Sequence, residues 1–127
     1  MSNNVQLLAA RILLSILFIV AGYGKLMSIE GTAGYFGSIG LPAPGLLVWV
    51  VTALELLGGL AILVGFQTRW VAYALAAFCV ASGFVGHGDF ADMTNQIMFM
   101  KNLGIAGGFL ALAVAGPGAF SVDARRG

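Results

Sequence analysis

The sequence predicts an all-α integral membrane protein whose four membrane-spanning helices form a single bundle. Hydrophobic residues make up 60% of the 127 positions, and glycine occupies a further 19 positions. Charged residues make up 9%, whereas a soluble domain carries roughly 25%. Four stretches approach the length of about 20 apolar residues that crossing a bilayer requires. This composition excludes an ordinary water-soluble fold, and we expect one domain over residues 1–127.

The first predicted span covers residues 5–27. The first ten residues of the chain contain no Lys or Arg, and Arg11 interrupts the apolar run, so the segment lacks the basic and apolar regions of a cleavable signal peptide. We therefore expect an uncleaved first helix.

The remaining predicted spans cover residues 44–65, 69–85 and 96–115. Pro44 lies in the first turn of the second span, where a proline fits a helix. The Gly-Pro-Gly run at 116–118 ends the fourth span. The segments 28–43 and 86–95 are expected to be loops.

The distribution of basic residues predicts that both termini are cytoplasmic. Arg11, Arg69 and the two arginines at 125–126 lie on one side of the membrane. Lys25 and Lys101 are the basic residues on the other side. Since Lys and Arg concentrate on the cytoplasmic side of membrane proteins, the termini should face the cytoplasm. The lipid bilayer is the expected partner, and nucleic acid is excluded because no basic face could neutralise phosphates.

Glu55 lies near the middle of the second span, where a charged side chain costs about 2.5–3.5 kcal/mol on insertion scales. Thr52 and Gly59 share its helix face, which should therefore point into the bundle. Counting about 1.5 Å of rise per residue from the predicted span ends brings Arg11 to within roughly 6 Å of Glu55 in depth. We predict that Arg11 and Glu55 interact, directly or through water, with Lys101 as the competing partner.

Two interpretations of this charged group remain open. It is either a buried ion pair that fixes the register of the helices, or part of a polar pocket or proton site, because intramembrane ionisable groups often mark ligand or ion paths. In the outer half of the membrane, Lys25, Lys101, Asn102 and His87 could line a cavity for an anionic or carbonyl-bearing ligand. The two carbonyls of a quinone head group fit such donors.

His87 is the single histidine of the chain. It is either a solvated or capping residue at a helix end or a group that exchanges protons near neutral pH. A metal site is not expected, because one histidine without a nearby cysteine makes a weak site. We assign no catalytic residue. The candidate ligand-binding residues are Arg11, Lys25, Glu55, Lys101, Asn102 and His87.

Glycines recur at helical spacing in the second and fourth spans. Gly104 and Gly108 form a small-xxx-small pair, which allows two helices to approach closely. We expect this pair to serve packing within the bundle, with a dedicated dimer face as the alternative.

Several motifs in a fixed order make the chain similar to a known family. They are Ala10–Leu14, Ala21–Leu26, Gly40–Pro44, Leu54–Gly59, Gly65–Arg69, Lys101–Leu103, Gly116–Gly118 and Phe120–Asp123. Together they resemble the DoxX family of small bacterial inner-membrane proteins, over about residues 6–124. Carried over by position, the polar motif residues of the family are Arg11, Lys25, Glu55, Lys101, Asn102 and Asp123.

The resemblance implies a multi-pass protein of the bacterial inner membrane. The family is named after a subunit of a thiosulfate:quinone oxidoreductase, and other members are linked to oxidoreductase activity or to resistance to quinones, thiols or oxidative stress. Related eukaryotic membrane proteins act as chaperones or cargo receptors. Fold-level analogy alone does not settle which chemistry a member performs.

We expect a membrane component of a quinone-linked oxidoreductase, or of a system that detoxifies electrophiles, with a quinone-like ligand in an intramembrane polar pocket. No nucleotide-binding glycine motif occurs, so the chain itself should carry no cofactor, and a quinone is the candidate diffusible one. A redox partner subunit or a homo-oligomer would then complete the activity. The alternative is a non-catalytic scaffold, accessory subunit or chaperone for a partner membrane protein. Solute transport by an oligomer is a third hypothesis.

Overall fold

The computed structural model describes residues 2–87 and 91–126, without the side chains at 86, 87 and 126. Its helices are α1 (Asn3–Leu26), α2 (Ile29–Ser38), α3 (Pro44–Val64), α4 (Thr68–His87), α5 (Met93–Ala115) and α6 (Val122–Arg126). Of these, α1, α3, α4 and α5 are each long and apolar enough to cross a membrane. The all-α, four-span class is confirmed, and the predicted spans match these four helices to within a few residues.

The helix ends form where the local sequence favours them. Pro44 is the first residue of α3, and Gly65 ends that helix with a left-handed φ of 74°. The side chain of Asp92 caps α5 by accepting a hydrogen bond of 2.9 Å from the Thr94 amide. At the other end of α5, Gly116 has a φ of 84° and stops the helix, as the Gly-Pro-Gly run predicts.

The bundle is built from two extensively packed helix pairs, α1 with α3 and α4 with α5. Contacts of α3 with α4 and of α1 with α5 join the two pairs. At the centre, Phe18 and Phe109 meet edge to face with ring centroids 5.4 Å apart. Cys79 is 3% exposed and belongs to the same apolar core. The start of α1 and the end of α5 lie at one end of the bundle, where the Asn4 side chain accepts a hydrogen bond from the Ala119 amide. We call this end the terminal end and the opposite end the far end.

Close approach of α1 and α3 depends on two glycines. A Cβ atom on Gly22 would lie 2.8 Å from Leu56 Cγ and 2.9 Å from the Leu56 backbone nitrogen. A Cβ atom on Gly59 would lie 2.9 Å from Ile19 Cγ1. By contrast, Gly104 has open space where a Cβ atom would stand. The tight glycine contact of the bundle therefore belongs to Gly22 and Gly59 rather than to the predicted Gly104–Gly108 pair.

The segment predicted as the first loop contains α2, a helix of ten residues. Its inward face carries Ile29, Thr32, Ala33 and Phe36, spaced at i, i+3, i+4 and i+7. This face packs chiefly on α3. The prediction of a loop is wrong here because four glycines between 31 and 40 masked the helical pattern.

The two helices of the α1–α3 pair do not reach the far end together. Gly22 of α1 lies level with Glu55 and Leu56 of α3. Beyond this level α1 continues for four residues, about 6 Å, whereas α3 continues for eleven, about 16 Å. The far half of α3 is therefore left without its α1 partner, and α2 packs there instead.

Candidate functional site

A lysine and a glutamate form an ion pair at the middle depth of the bundle. Lys25 Nζ of α1 lies 2.8 Å from Glu55 Oε1 of α3. The glutamate side chain is 6% exposed and the lysine side chain 26%. The two residues meet because Gly22, one turn before Lys25, lets the α1 backbone come close to α3. The sequence correctly placed Glu55 inside the bundle but assigned it a different cation.

The ion pair leaves hydrogen-bonding capacity unused. Glu55 Oε1, 2.8 Å from Lys25 Nζ, has no hydrogen-bond partner among the described residues beyond this ion pair. One turn before it, the Thr52 hydroxyl is buried and finds no hydrogen-bond partner among the described residues. Buried polar groups normally pair, so this region has donors and acceptors to spare for a bound molecule.

A cavity of about 540 Å³ lies beside the pair, between α2, α3 and the far half of α4. Its polar lining residues are Lys25, Tyr35, Glu55 and Ser82. Its apolar lining residues are Phe36, Ile39, Leu41, Leu47, Val50, Val51, Leu54, Phe78, Ala81 and Val85. Sites for small molecules commonly have this size and this mostly apolar wall with a few polar groups. We call it the far-end cavity.

Asn102 of α5 does not line the far-end cavity but forms a hydrogen bond with a residue that does. Its side-chain amide donates to the Cys79 carbonyl at 3.1 Å and to the Ser82 hydroxyl at 3.4 Å. Ser82 also donates to the Cys79 carbonyl at 3.3 Å and lines the cavity. Asn102 therefore orients a lining residue of α4, whereas the prediction had it lining the pocket directly.

Arg11 lies elsewhere, and its predicted interaction with Glu55 is wrong. The guanidinium is fully buried and donates to the Leu63 carbonyl at 2.9 Å and the Ile62 carbonyl at 3.4 Å. It also donates to the Phe120 carbonyl. These carbonyls belong to the end of α3 and to the C-terminal segment, two turns from Glu55. Arg11 thus satisfies carbonyls that the end of α3 leaves without helical partners.

The C-terminal segment folds back on this terminal end. The Asp123 carboxylate accepts hydrogen bonds from the backbone amides of Gln67 and Thr68, at 2.7 and 2.8 Å, and so caps the start of α4. In return the Asp123 amide donates to the Gly65 carbonyl at 2.9 Å. Gly65 cannot carry a side chain here, because a Cβ atom would collide with Ser121. The motif residues Arg11, Gly65 and Asp123 therefore hold the tail against the bundle.

The last two predicted site residues stand apart from the ion pair. Lys101 is exposed on α5 and does not line the far-end cavity. The backbone of His87 ends α4, two residues beyond the lining residue Val85. The prediction for the His87 side chain, like the one for the 88–90 segment, lies outside the described residues.

Lys25 and Glu55 are the two predicted site residues that line the far-end cavity. The other lining residues were absent from the sequence prediction, among them Tyr35, Phe36 and Ser82. Tyr35 and Phe36 come from the unpredicted helix α2, and Ser82 from α4. The i, i+3, i+4, i+7 spacing on α2 was the signal for the first two. Ser82 was visible as a hydroxyl within an apolar span, three residues from Cys79.

The arrangement favours binding over metal chemistry. In the described ranges no three His, Cys, Asp or Glu side chains come close enough to hold a metal ion. The Lys25 ammonium is a donor, the Glu55 carboxylate an acceptor and the Ser82 hydroxyl both. A paired lysine and glutamate carry no net charge together. The far-end cavity therefore suits an uncharged ligand with polar atoms at one end and an apolar remainder.

A second concavity has a different character. It is a groove of about 660 Å³ on the lipid-facing side of α3 and α4, toward their terminal end. Every side chain that lines it is apolar, including Leu57, Leu60, Val64 and Phe66. It provides no group that would orient a polar ligand.

Comparison with known proteins finds the family that the sequence motifs predict. The family model DoxX matches residues 6–88. "Inner membrane protein YqjF" of Escherichia coli is 50% identical over 95% of this chain and 92% of its own length. "Inner membrane protein YphA" of the same organism is 39% identical over 98% of this chain and 92% of its own length.

A third relative carries a name that mentions an activity. "Putative oxidoreductase CatD" of Bacillus subtilis is 39% identical over 59% of this chain and 54% of its own length. No solved structure matches the chain. The four apolar helices, together with the two Escherichia coli relatives, place the chain in the bacterial inner membrane as a multi-pass protein.

Proposed function

Since the chain belongs to the DoxX family, we propose that it is the membrane component of a quinone-linked oxidoreductase or electrophile-detoxifying system, and that it binds a quinone-like ligand in the far-end cavity. The observation that carries the proposal is the Lys25–Glu55 pair at the deepest part of a mostly apolar cavity. The name of the Bacillus subtilis relative agrees with a redox role.

The chemistry of the lining matches a quinone head group. A quinone offers two carbonyl oxygens, which accept hydrogen bonds and need donors. The Lys25 ammonium provides one donor at the floor. The Ser82 hydroxyl on α4 provides another when its hydrogen turns from the Cys79 carbonyl to the ligand. After reduction the quinol would offer hydroxyl donors, for which Glu55 is an acceptor. The pair can therefore hold either form of the ligand.

The chain acts in this proposal as a binding subunit. Its own residues hold and orient the head group, while the apolar wall excludes water. Electrons would reach the ligand from a partner subunit, because the sequence carries no nucleotide-binding glycine motif. No residue of the chain is assigned a catalytic role.

Identification of the co-purifying ligand tests the proposal. The protein is solubilised in a mild detergent, and bound molecules are measured by native mass spectrometry and by organic extraction. We expect a quinone at near-stoichiometric amount in the wild type, and its loss in Glu55→Gln. The Lys25→Glu/Glu55→Lys double variant keeps an ion pair but exchanges donor and acceptor, so it should remain folded and lose the quinone. Arg69→Gln, at the terminal end, is the matched control and should retain it.

The opposite result supports the alternative function. If only bulk phospholipid is recovered together with a second polypeptide, and the exchanged pair changes nothing, the chain is a scaffold, accessory subunit or chaperone. The quinone proposal would then be wrong.

A further inference from the structure

Apart from the Tyr35 hydroxyl, the described rim of the far-end cavity is apolar, and it is more exposed than the Glu55 side chain. Tyr35 of α2 and Ile39, which follows the end of α2, are 51% and 38% exposed, and Val85 of α4 is 51% exposed. Ala81 lies on the same exposed side of α4, one turn before Val85. At the floor, Glu55 is 5% exposed. The cavity therefore carries the Lys25–Glu55 pair at its less exposed side and mostly apolar side chains at its more exposed side.

The open side lies at the depth of the lipid chains. Ala81 is six residues before the end of α4, and Val50 is six residues after the start of α3, so both lie about 9 Å inside the helix ends. Glu55 lies five residues deeper along α3, about 7.5 Å below Val50. We expect an opening at this depth, bordered by exposed apolar side chains, to face hydrocarbon rather than water.

The opening lies between α2 and α4. Both helices contribute lining residues, but α2 packs chiefly on α3 and, to a smaller extent, on α1. Among the described residues, packing between α2 and α4 is at most slight, so their side of the cavity is weakly closed by helix packing. Ala81 is exposed and lines the cavity with a small side chain, so it takes up little of the space at the opening.

We propose that the ligand of the far-end cavity is a long-tailed amphiphile that enters sideways from the bilayer between α2 and α4, with its head on the Lys25–Glu55 pair and its tail leaving past Ala81. This inference rests on the proposed function and specifies its ligand class and its route. Ala81 is the specificity-determining position, because its small size admits the tail.

Two probes that share a head group distinguish the contribution of the tail to binding from that of the head. Dimethoxy-methyl-benzoquinone has no tail, and decylubiquinone carries a decyl chain on the same ring. The binding of each probe is measured to the wild type and to Ala81→Trp, both purified and placed in lipid nanodiscs. We expect decylubiquinone binding to weaken by roughly tenfold or more, as when an overfilled site must be forced open. Binding of the tail-less probe should change by less than about twofold, as for a surface substitution.

Two further variants guard the interpretation. Val114→Trp adds the same bulk at an 86% exposed position of α5, away from the cavity, and should leave both probes unaffected. If Ala81→Trp does not fold, Ala81→Leu is the milder replacement and should act in the same direction.

The outcomes distinguish this inference from the proposed function. Equal binding of decylubiquinone to wild type and Ala81→Trp, with the tail-less probe still bound, overturns the lateral route and leaves the quinone site intact. Equal weakening of both probes also overturns it, because the tail would then not be the part that passes Ala81. Failure of both probes to bind the wild type overturns the proposed function itself.

Discussion

At the scale of single residues, the Lys25–Glu55 pair is what makes two charges tolerable at mid-depth. An ionised side chain in the bilayer core is costly, and each member of the pair lowers that cost for the other. Buried pairs often add little net stability, yet removal of one partner leaves an uncompensated charge. We therefore expect the pair to be detectable from the loss of stability when only one of its members is replaced.

Single and double substitutions test this expectation. Lys25→Met and Glu55→Gln should each lower the free energy of unfolding, Lys25→Met by about 3 kcal/mol, at the low end for a broken buried pair because the lysine is partly exposed. The Lys25→Met/Glu55→Gln double variant should lose less free energy of unfolding than the two single variants together. The difference, which is the coupling energy, should be about 1–3 kcal/mol. Steric trapping in bicelles provides the measurement. Lys101→Met removes an exposed lysine of α5 and is the matched control; strictly additive losses would contradict the pairing.

Residue chemistry alone identified Glu55 but not its partner. A carboxylate in an apolar span is visible in any sequence, and so is the need for a cation. The preference for Arg11, with Lys101 as the competing partner, depended on relative depth, and Lys25 was not considered. The depth count assumed that the first two spans begin and end together. They do not, because α1 ends about 10 Å before α3 at the far end. No local pattern in the sequence encodes this offset.

At the scale of helices, the Gly22 contact sets the register of α1 on α3. The close approach at Gly22 and Gly59 brings Lys25 within reach of Glu55. The sequence indicated that glycines allow close packing, but it could not say which glycines face a neighbour. Gly104 shows the other case, since it has open space around it.

Alanine substitutions separate the two kinds of glycine. Gly22→Ala should destabilise the protein by about 1–3 kcal/mol, because its Cβ atom would press on the Leu56 backbone and force the helices apart. Gly104→Ala should be neutral or stabilising by up to about 1 kcal/mol, since alanine is the better helix former. The same unfolding assay measures both. Equal effects at the two positions would show that the α1–α3 contact is not tight.

The C-terminal segment is a second element that depends on few residues. Asp123 caps the start of α4, and Arg11 holds the Phe120 carbonyl. Loss of a capping side chain costs about 1 kcal/mol, and here it also releases the tail. The structure therefore gives Arg11 and Asp123 a structural role, although the resemblance to a family had marked both among its polar motif residues.

Hydrogen exchange tests the role of the tail. Asp123→Ala should speed amide exchange at residues 67–68 and throughout 119–124, because the two capped amides and the folded-back segment lose their shared partner. Arg125→Ala, at an exposed position two residues away, is the matched control and should not change it. Unchanged protection at 67–68 in Asp123→Ala would contradict the cap.

At the scale of the whole molecule, the four-helix membrane class followed from composition and span length. Apolar runs of this length have few other stable forms in a bilayer. The site did not follow from composition and span length. The far-end cavity depends on the presence of α2, on α1 ending before α3 does at the far end, and on the orientation of α4 toward both. The start of α1 and the end of α5 share one end of the bundle; that this end faces the cytoplasm stays a prediction from the placement of Lys and Arg.

The central claim is that a quinone head group lies on the Lys25–Glu55 pair inside the far-end cavity. The most direct measurement is photolabelling of the protein in nanodiscs with a quinone that carries an azide on its ring, followed by peptide mapping. We expect labels on residues 47–55 of α3 and 78–85 of α4, and their suppression by excess decylubiquinone. Labels spread along the lipid-facing helix surfaces, or concentrated on the apolar groove around Leu60 and Val64, would contradict the account.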